Sequence, residues 1–237
     1  MLQPKQLGNI LFLDIETVPQ TYRFEELDNE IQELWTKKTY YIQESQQISA
    51  AEAYQKAGIY AEFGKIVCIS VGYFHQSKFR VRSFCNANET ELLRSFSSLV
   101  SKYFSAKRHY LCAHNGKEFD FPYIARRMLI NRIPLPETLN LAGKKPWEVK
   151  HLDTMELWKF GDYKHYTSLE LLARIFNIPT PKDDMSGADV ARVFYEEKNM
   201  DRIRQYCEKD VITIARLMQA FMLESPLPDN QIAVIHE

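Results

Sequence analysis

Cysteine is scarce in this chain of 237 residues, and its four copies are scattered. Cys68, Cys85, Cys112 and Cys207 include no CxxC pair, and no histidine stands at zinc-ligand spacing. A disulfide framework and a structural zinc site both need such patterns, so the sequence argues against both classes. We expect four reduced thiols in a cytoplasmic protein.

Long apolar runs, linkers and a strong net charge are also missing. No run approaches the length of a membrane span, and the start, MLQPKQLGN, lacks a basic-then-apolar signal. Repeats and Gly/Ser linkers are absent, so we expect one compact domain over 1–237. The net charge of -1 leaves any polyanionic partner to be held by local basic patches.

The first informative stretch is LFLDIETV at 11–18. Side chains alternate along a strand, which places Asp14 and Glu16 on one face with Ile10 and Phe12. Apolar residues on both faces predict a central strand covered on both sides, with the two acids at its carboxyl end. Like charges near a core repel each other, so a cation should compensate them.

The remaining pattern predicts an α/β fold with a mixed sheet of five strands and helices on both faces. The chain order is three strands, a helix, a strand, a helix, a strand and then further helices. The predicted features are a helical hairpin inserted at 20–57, strands near 65–74, 78–84, 108–115 and 151–157, a β-hairpin turn at Gln76–Ser77, a last helix over roughly 200–222 and a loose tail from Pro226.

The predicted last helix carries an acid where a hydrophobic residue is expected. Asp210 falls on the apolar stripe formed by Ile203, Cys207 and Ile214. Tyr206 precedes it by four residues and is its neighbour on the helix surface. An inward acid needs a partner, which is a basic residue or a metal ion.

A third acid, Asp120, stands in CAHNGKEFDFPYIARRM just before a predicted helix. On its own it is more simply an N-cap, because Asp is favoured there and Pro122 suits a first turn. Together with Asp14, Glu16 and Asp210 it makes four carboxylates from three segments. Four acids are too many for one basic side chain, but they suit two Mg²⁺ or Mn²⁺ ions that act on a phosphoryl group.

These segments resemble the motifs of the DEDD superfamily of 3′–5′ exonucleases, which have a ribonuclease H-like fold. DIET at 14–17 is similar to the first motif, HNGKEFD at 114–120 to the second and YCEKD at 206–210 to the third. Tyr206, four residues before the final Asp, is typical of the tyrosine branch (DEDDy). The whole resembles a free-standing proofreading exonuclease domain of family-B DNA polymerases.

The resemblance implies a two-metal hydrolysis that releases nucleoside 5′-monophosphates from a 3′ end, with single-stranded DNA favoured over RNA. Asp14, Glu16 and Asp210 would hold the first ion, and Asp14 with Asp120 the second. Tyr206 would orient the attacking water with Glu16, since a phenol with a pKa of about 10 is a poor base at neutral pH. Asn115 and the backbone near Thr17 and Val18 would hold the terminal nucleotide. The second motif departs from the family pattern by carrying Lys117 and Glu118.

Several basic patches are candidates for contact with a nucleic acid backbone. Taken singly, each patch is slightly better explained as a solvated surface loop. They are Lys107–His109, Arg126–Arg127, the loop GKKPWEVKH at 143–151 with Trp147, Lys164–Tyr166, and Lys182.

Two alternatives remain open. The first is a nucleic-acid-binding or partner-docking module that has lost catalysis, although such decay should have removed at least one of the four acids. The second is an endonuclease of the ribonuclease H type, which Tyr206 and Asp210 on one long helix disfavour. His151 and Asp153 share a strand face and suggest a metal site, but we expect Asp153 to make structural hydrogen bonds.

Overall fold

The sheet at the centre of the molecule is mixed and lies between helices. The structure, a computed structural model, describes residues 4–162, 166–179 and 185–235, with the side chains of 4–6 left out. Within these residues six strands pair in the order β5-β4-β1-β2-β3-β6. They are β1 (Ile10–Pro19), β2 (Gly64–His75), β3 (Lys78–Cys85), β4 (Tyr110–Ala113), β5 (Leu152–Asp153) and β6 (Ile232–Ile235).

Helices cover both faces of this sheet, as predicted. None of them in the described ranges is long and apolar enough to cross a membrane. The α-helices are α1 (Asn29–Lys38), α2 (Tyr40–Gln46), α3 (Ala50–Tyr54), α4 (Glu89–Tyr103), α5 (Asp120–Ile130), α6 (Thr154–Lys159), α7 (Leu169–Ile175), α8 (Val190–Arg192) and α9 (Met200–Phe221). Short 3₁₀ turns cover Pro4–Asn9, Phe24–Glu26, Ala57–Ile59, Glu137–Leu139, Pro146–Glu148, Gly187–Asp189 and Asp229–Gln231, and a π-helical turn covers Val193–Glu197.

The alternation of β1 divides the core in two. Leu11 and Leu13 face α4 and α5 in one buried cluster. Ile10 and Phe12 face α9, where they pack with Val211 and other residues of that helix. The even-numbered face of β1 therefore points at α9, which confirms the predicted central strand and aims Asp14 and Glu16 at the last helix.

The prediction of five strands and of a loose tail from Pro226 is wrong. The end of the chain adds β6 in parallel to β3, with Phe79 opposite Ile232 and Arg82 opposite Ile235. Arg216 of α9 anchors the segment before it, because its guanidinium donates to the carbonyl oxygen of Leu227 and to the Asp229 carboxylate. The four residues of β6 form a strand because they pair with the edge strand β3. No local sequence pattern predicts this pairing.

The expectation of four reduced cysteines is also corrected. Cys68 and Cys85 lie opposite each other in the antiparallel pairing of β2 and β3 and form a disulfide. Cys112 and Cys207 are buried free thiols. The two cysteines are 17 residues apart, so the sequence alone does not predict that they pair. The register of the β2–β3 hairpin brings them together.

The inserted segment 20–57 is helical, with three short α-helices. Trp35 of α1 is fully buried among the aromatic rings of Tyr54, Tyr60 and Phe63, and its indole nitrogen donates to the Ala50 carbonyl oxygen at 2.8 Å. Tyr123 of α5 donates to the Gly58 carbonyl oxygen at 2.7 Å. Since Gly58 also packs closely on the backbone of Val18, the end of the insertion is fixed beside the carboxyl end of β1.

Candidate active site

The first two acids lie side by side under α9. Asp14 is partly buried, Glu16 is buried, and both face the helix. The Cys207 thiol of α9 donates to the Asp14 carbonyl oxygen at 3.3 Å. One ligand atom each from Asp14, Glu16 and Cys207 lies within 4.8 Å of the other two. The sequence placed Cys207 on the apolar stripe but gave no sign of this contact.

Directly after Glu16 the pairing of β1 with β2 shifts register. Glu16 pairs with Cys68, whereas Thr17 pairs with Ile66, so Val67 is an extra residue on β2. Bulges of this kind re-aim neighbouring side chains and are common beside active sites. The sequence did not reveal this bulge, which separates the two acids from Thr17 and Val18.

Asp120 is the first residue of α5. The N-cap of this helix is Phe119, whose side chain makes no capping hydrogen bond. The simpler explanation of Asp120 as an N-cap is therefore wrong. Its carboxylate is buried, and it accepts hydrogen bonds from the backbone of Ile15 and from its own backbone. This contact places Asp120 against β1, between the positions of Asp14 and Glu16.

The electrostatics show that all four predicted acids converge. The pKa of Asp14 is raised well above its ordinary value, mainly by burial and further by Asp210, Glu16 and Asp120. Burial also raises the pKa of Glu16 well above its ordinary value, with Asp210 and Asp120 adding to it. The pKa of Asp120 is raised to about 8, again chiefly by burial. The charged neighbours that raise these values are all acids, so the site favours bound cations or protons.

We expect the metal-free protein to lose stability as the pH rises from about 7 to about 8. Asp120, with its folded-state pKa at about 8, keeps a proton that the unfolded chain has already released. The stabilisation from this proton is fully present below the unfolded pKa and is lost as the pH passes the folded one. Urea unfolding in EDTA at about pH 7 and about pH 8 measures the loss where histidines, with an ordinary pKa of about 6.5, are largely neutral.

The variant Asp120→Asn isolates this effect. It removes the titrating group with little change in volume, so its stability should depend less on pH over the same interval. Saturating Mn²⁺ should flatten the dependence of the unaltered protein in the same way, because bound cations replace the protons. Equal pH slopes in the protein and the variant would contradict the raised pKa of Asp120.

The second motif forms a tight loop before α5. Asn115 has a φ of 63°, in the left-handed region that Asn tolerates. A Cβ at Gly116 would lie 2.4 Å from the Ala113 side chain, so only glycine fits there. The Asn115 side-chain oxygen is buried and, among the described residues, has no hydrogen-bond partner. Buried acceptors are normally paired, so this oxygen is a candidate for contact with a ligand.

Asp153 holds this loop, as expected, and its charge also raises the pKa of Asp120. Its carboxylate accepts from the backbone nitrogens of Asn115 and Lys117 at 3.0 Å each, and it also caps α6. His151 is buried, accepts from the backbone nitrogen of Leu111 and bonds the Thr138 carbonyl oxygen. Both residues are structural supports of the site. Lys117 forms an ion pair with Glu156, so its charge is directed toward α6.

The remaining candidates take different positions. Tyr206 is partly buried and packs, one turn before Asp210, against a cluster that includes Val18 and Cys207. Val18 is fully buried, and the Thr17 side chain is hydrogen-bonded to Tyr123. Both residues pair with β2, Thr17 with Ile66 and Val18 with Lys65.

The basic patches differ in their availability. Arg127 is buried in an ion pair with Glu89, so it is not part of a surface patch. In the loop at 143–151, the Lys145 ammonium lies 5.3 Å from the ring centre of the exposed Trp147. Lys164, His165 and Lys182 lie outside the described residues.

A mixed sheet between helices, with buried acids gathered where β1, α5 and α9 meet, defines a fold similar to that of the family-B polymerase exonuclease domain. The family described as "Predicted 3'-5' exonuclease related to the exonuclease domain of PolB" matches residues 59–223. The chain belongs to this family. The matched segment contains Asn115, Asp120, Tyr206 and Asp210, whereas Asp14 and Glu16 precede it.

Two further similarities agree with this assignment. A DNA polymerase of Pyrococcus glycovorans is 22% identical over 186 residues, which cover 70% of this chain and 24% of that protein. The structure of the family B DNA polymerase from Pyrobaculum calidifontis aligns with a TM-score of 0.56 at 14% identity, over 90% of this chain and 24% of that one. The chain spans about a quarter of either relative, and the structural likeness shows the fold.

Proposed function

We propose that this protein is a metal-dependent 3′–5′ exonuclease that hydrolyses phosphodiester bonds at the 3′ end of a nucleic acid, preferentially single-stranded DNA, and releases nucleoside 5′-monophosphates. The observation that carries the proposal is the convergence of Asp14, Glu16, Asp120 and Asp210, where burial first and then the charges of neighbouring acids raise the pKa of the first three. No structural role of the fold requires acids to be gathered in this way at a cost in stability.

The donor set fits hard divalent cations. Mg²⁺ and Mn²⁺ prefer carboxylate and carbonyl oxygens and keep sites for water and phosphate oxygens. Two such ions would neutralise the four acids, polarise the attacking water and stabilise the leaving oxygen. The unpaired oxygen of Asn115 adds an acceptor that a bound ligand could satisfy.

Residues of the chain would bind the cations, orient the attacking water and hold the nucleotide. Asp14, Glu16 and Asp210 would hold the first cation, and Asp14 and Asp120 the second. Tyr206, in the DEDDy arrangement, would hydrogen-bond the attacking water and fix its direction together with Glu16, while the proton passes to solvent. The chain would hold the terminal nucleotide through Asn115 and through the backbone of Thr17 and Val18.

We expect Tyr206→Phe to lower kcat by about 10- to 100-fold, the value of one hydrogen bond of about 1.5–3 kcal/mol. The change removes only the hydroxyl, so KM and cation affinity should change little. Steady-state kinetics on a labelled oligonucleotide measure both constants. Tyr103→Phe, at an exposed tyrosine of α4, is the matched control. An unchanged kcat in Tyr206→Phe would remove the phenol from the proposed mechanism.

The direct test uses 5′-labelled single-stranded DNA and RNA of one sequence with Mn²⁺, Mg²⁺ or EDTA. A ladder that shortens from the 3′ end, needs a divalent cation and disappears in EDTA is the expected result. The faster of the two substrates decides the sugar preference. Binding of both strands without shortening in any metal would refute the exonuclease and favour the non-catalytic module, and internal cuts of defined length would favour an endonuclease.

A further inference from the structure

The contact between Cys207 and the first two acids assigns a role to a residue that the proposed mechanism does not use. Cys207 is fully buried on α9, three residues before Asp210 and therefore on the same helix face. Its thiol is one of two free thiols in the chain. The other, Cys112, lies in the separate cluster that contains Ile10 and Phe12.

The spacing of the three side chains matches that of ligands around one ion. Atoms that bind a zinc-like ion at about 2.0–2.3 Å lie about 3–4.5 Å from one another. The ligand atoms of Asp14, Glu16 and Cys207 are within 4.8 Å of each other, so small side-chain movements suffice. The sulfur is held in place by the rigid helix and by its hydrogen bond to the Asp14 carbonyl oxygen.

We propose that Cys207 joins Asp14, Glu16 and Asp210 as a protein ligand of the first cation, and that its sulfur makes this site favour thiophilic ions such as Zn²⁺, Co²⁺ and Cd²⁺ more strongly than carboxylates alone would. The inference rests on the proposed function for the existence of a cation site and adds its selectivity. Thiolate sulfur favours these softer ions, whereas carboxylates alone favour Mg²⁺ and Mn²⁺. On binding, the S–H bond is replaced by a metal–sulfur bond and the proton passes to the buffer.

Cobalt is the probe, because a Co²⁺–thiolate bond absorbs in the near ultraviolet and a Co²⁺–carboxylate bond does not. Titration of the intact protein with Co²⁺ should give this absorption with a stoichiometry of one per chain. Cys207→Ser should abolish it and weaken Co²⁺ binding by at least about tenfold, with Mn²⁺ affinity nearly unchanged. Cys112→Ser, at the other buried thiol, should retain the absorption. If Cys207→Ser does not fold, Cys207→Ala replaces it in the same titration.

The outcomes separate the inference from the function on which it rests. If Co²⁺ binds with visible d–d bands that Asp14→Asn removes, but without thiolate absorption, the cation site stands and the role of Cys207 is refuted. Thiolate absorption that persists in Cys207→Ser and disappears in Cys112→Ser would refute it as well. If neither Co²⁺ nor Mn²⁺ binds, both the inference and the metal-dependent function fail.

Discussion

We expect Asp14→Asn to reduce the exonuclease rate in Mn²⁺ by about 10³-fold or more, equivalent to at least about 4 kcal/mol of lost transition-state stabilisation. Asp14 is the carboxylate that both proposed cations would share, so its loss disturbs both ions together. The substitution keeps the shape of the side chain and removes its charge. Single-turnover cleavage of a 5′-labelled oligonucleotide measures the rate of the chemical step.

The same variant should be more stable than the unaltered protein in EDTA. Burial and the charges of Asp210, Glu16 and Asp120 raise the pKa of Asp14, so an amide removes a destabilising charge that otherwise only a bound cation or a proton neutralises. Lower activity together with higher metal-free stability separates a functional acid from a structural one. The exposed Glu137 supplies the control Glu137→Gln, which makes the same chemical change away from the cluster.

A rate in Asp14→Asn above about a tenth of the normal value would contradict the shared-ligand role. This variant is informative for a second reason. The family match begins at residue 59, so Asp14 belongs to the part of the site that the match does not include. Its effect therefore tests whether the first strand completes the site or only covers the core.

We expect Arg127→Met to lower the free energy of unfolding by about 3–5 kcal/mol, because it leaves the carboxylate of Glu89 buried without its cation. The guanidinium donates to both oxygens of Glu89 and to the Ala61 carbonyl oxygen. Glu89 also accepts from the backbone nitrogen of Ile66 and from the side chain of Asn131. The network joins α4 and α5 to the start of β2. Urea unfolding at neutral pH measures the loss.

Two further variants sharpen this test. Glu89→Gln combined with Arg127→Met removes both charges and should recover part of the loss, since no unpaired charge then remains buried. Lys37→Met breaks the exposed pair with Glu33 and should cost less than about 0.5 kcal/mol. A loss in Arg127→Met as small as that of the exposed pair would show that water reaches Glu89.

The position of this network connects stability to the site. Ile66 pairs with Thr17 across the bulge of β2, and its backbone nitrogen is held by Glu89. The buried ion pair therefore fixes the strand that lies opposite the proposed nucleotide-binding backbone. From the sequence, Arg127 belonged to a surface patch with Arg126, and only the fold shows that one of the two neighbours points inward.

Local patterns in the sequence determined the first strand, the hairpin and the last helix. The alternation of β1 placed Leu11 and Leu13 on one face and Asp14 and Glu16 on the other, as the two core clusters confirm. The predicted turn at Gln76–Ser77 joins β2 to β3, and the helix predicted over roughly 200–222 is α9. These features follow from side-chain periodicity within about 20 residues, which the sequence displays directly.

The tertiary structure alone decided the features that join distant segments. The pairing of β6 with β3, the Cys68–Cys85 disulfide and the Glu89–Arg127 ion pair each depend on register or helix packing between remote residues. The bulge after Glu16 and the contact of Cys207 with Asp14 have the same origin. Periodicity fixes which face of an element a residue occupies, whereas the neighbour that it meets there depends on how whole elements pack, and the acids of this site meet because β1, α5 and α9 converge.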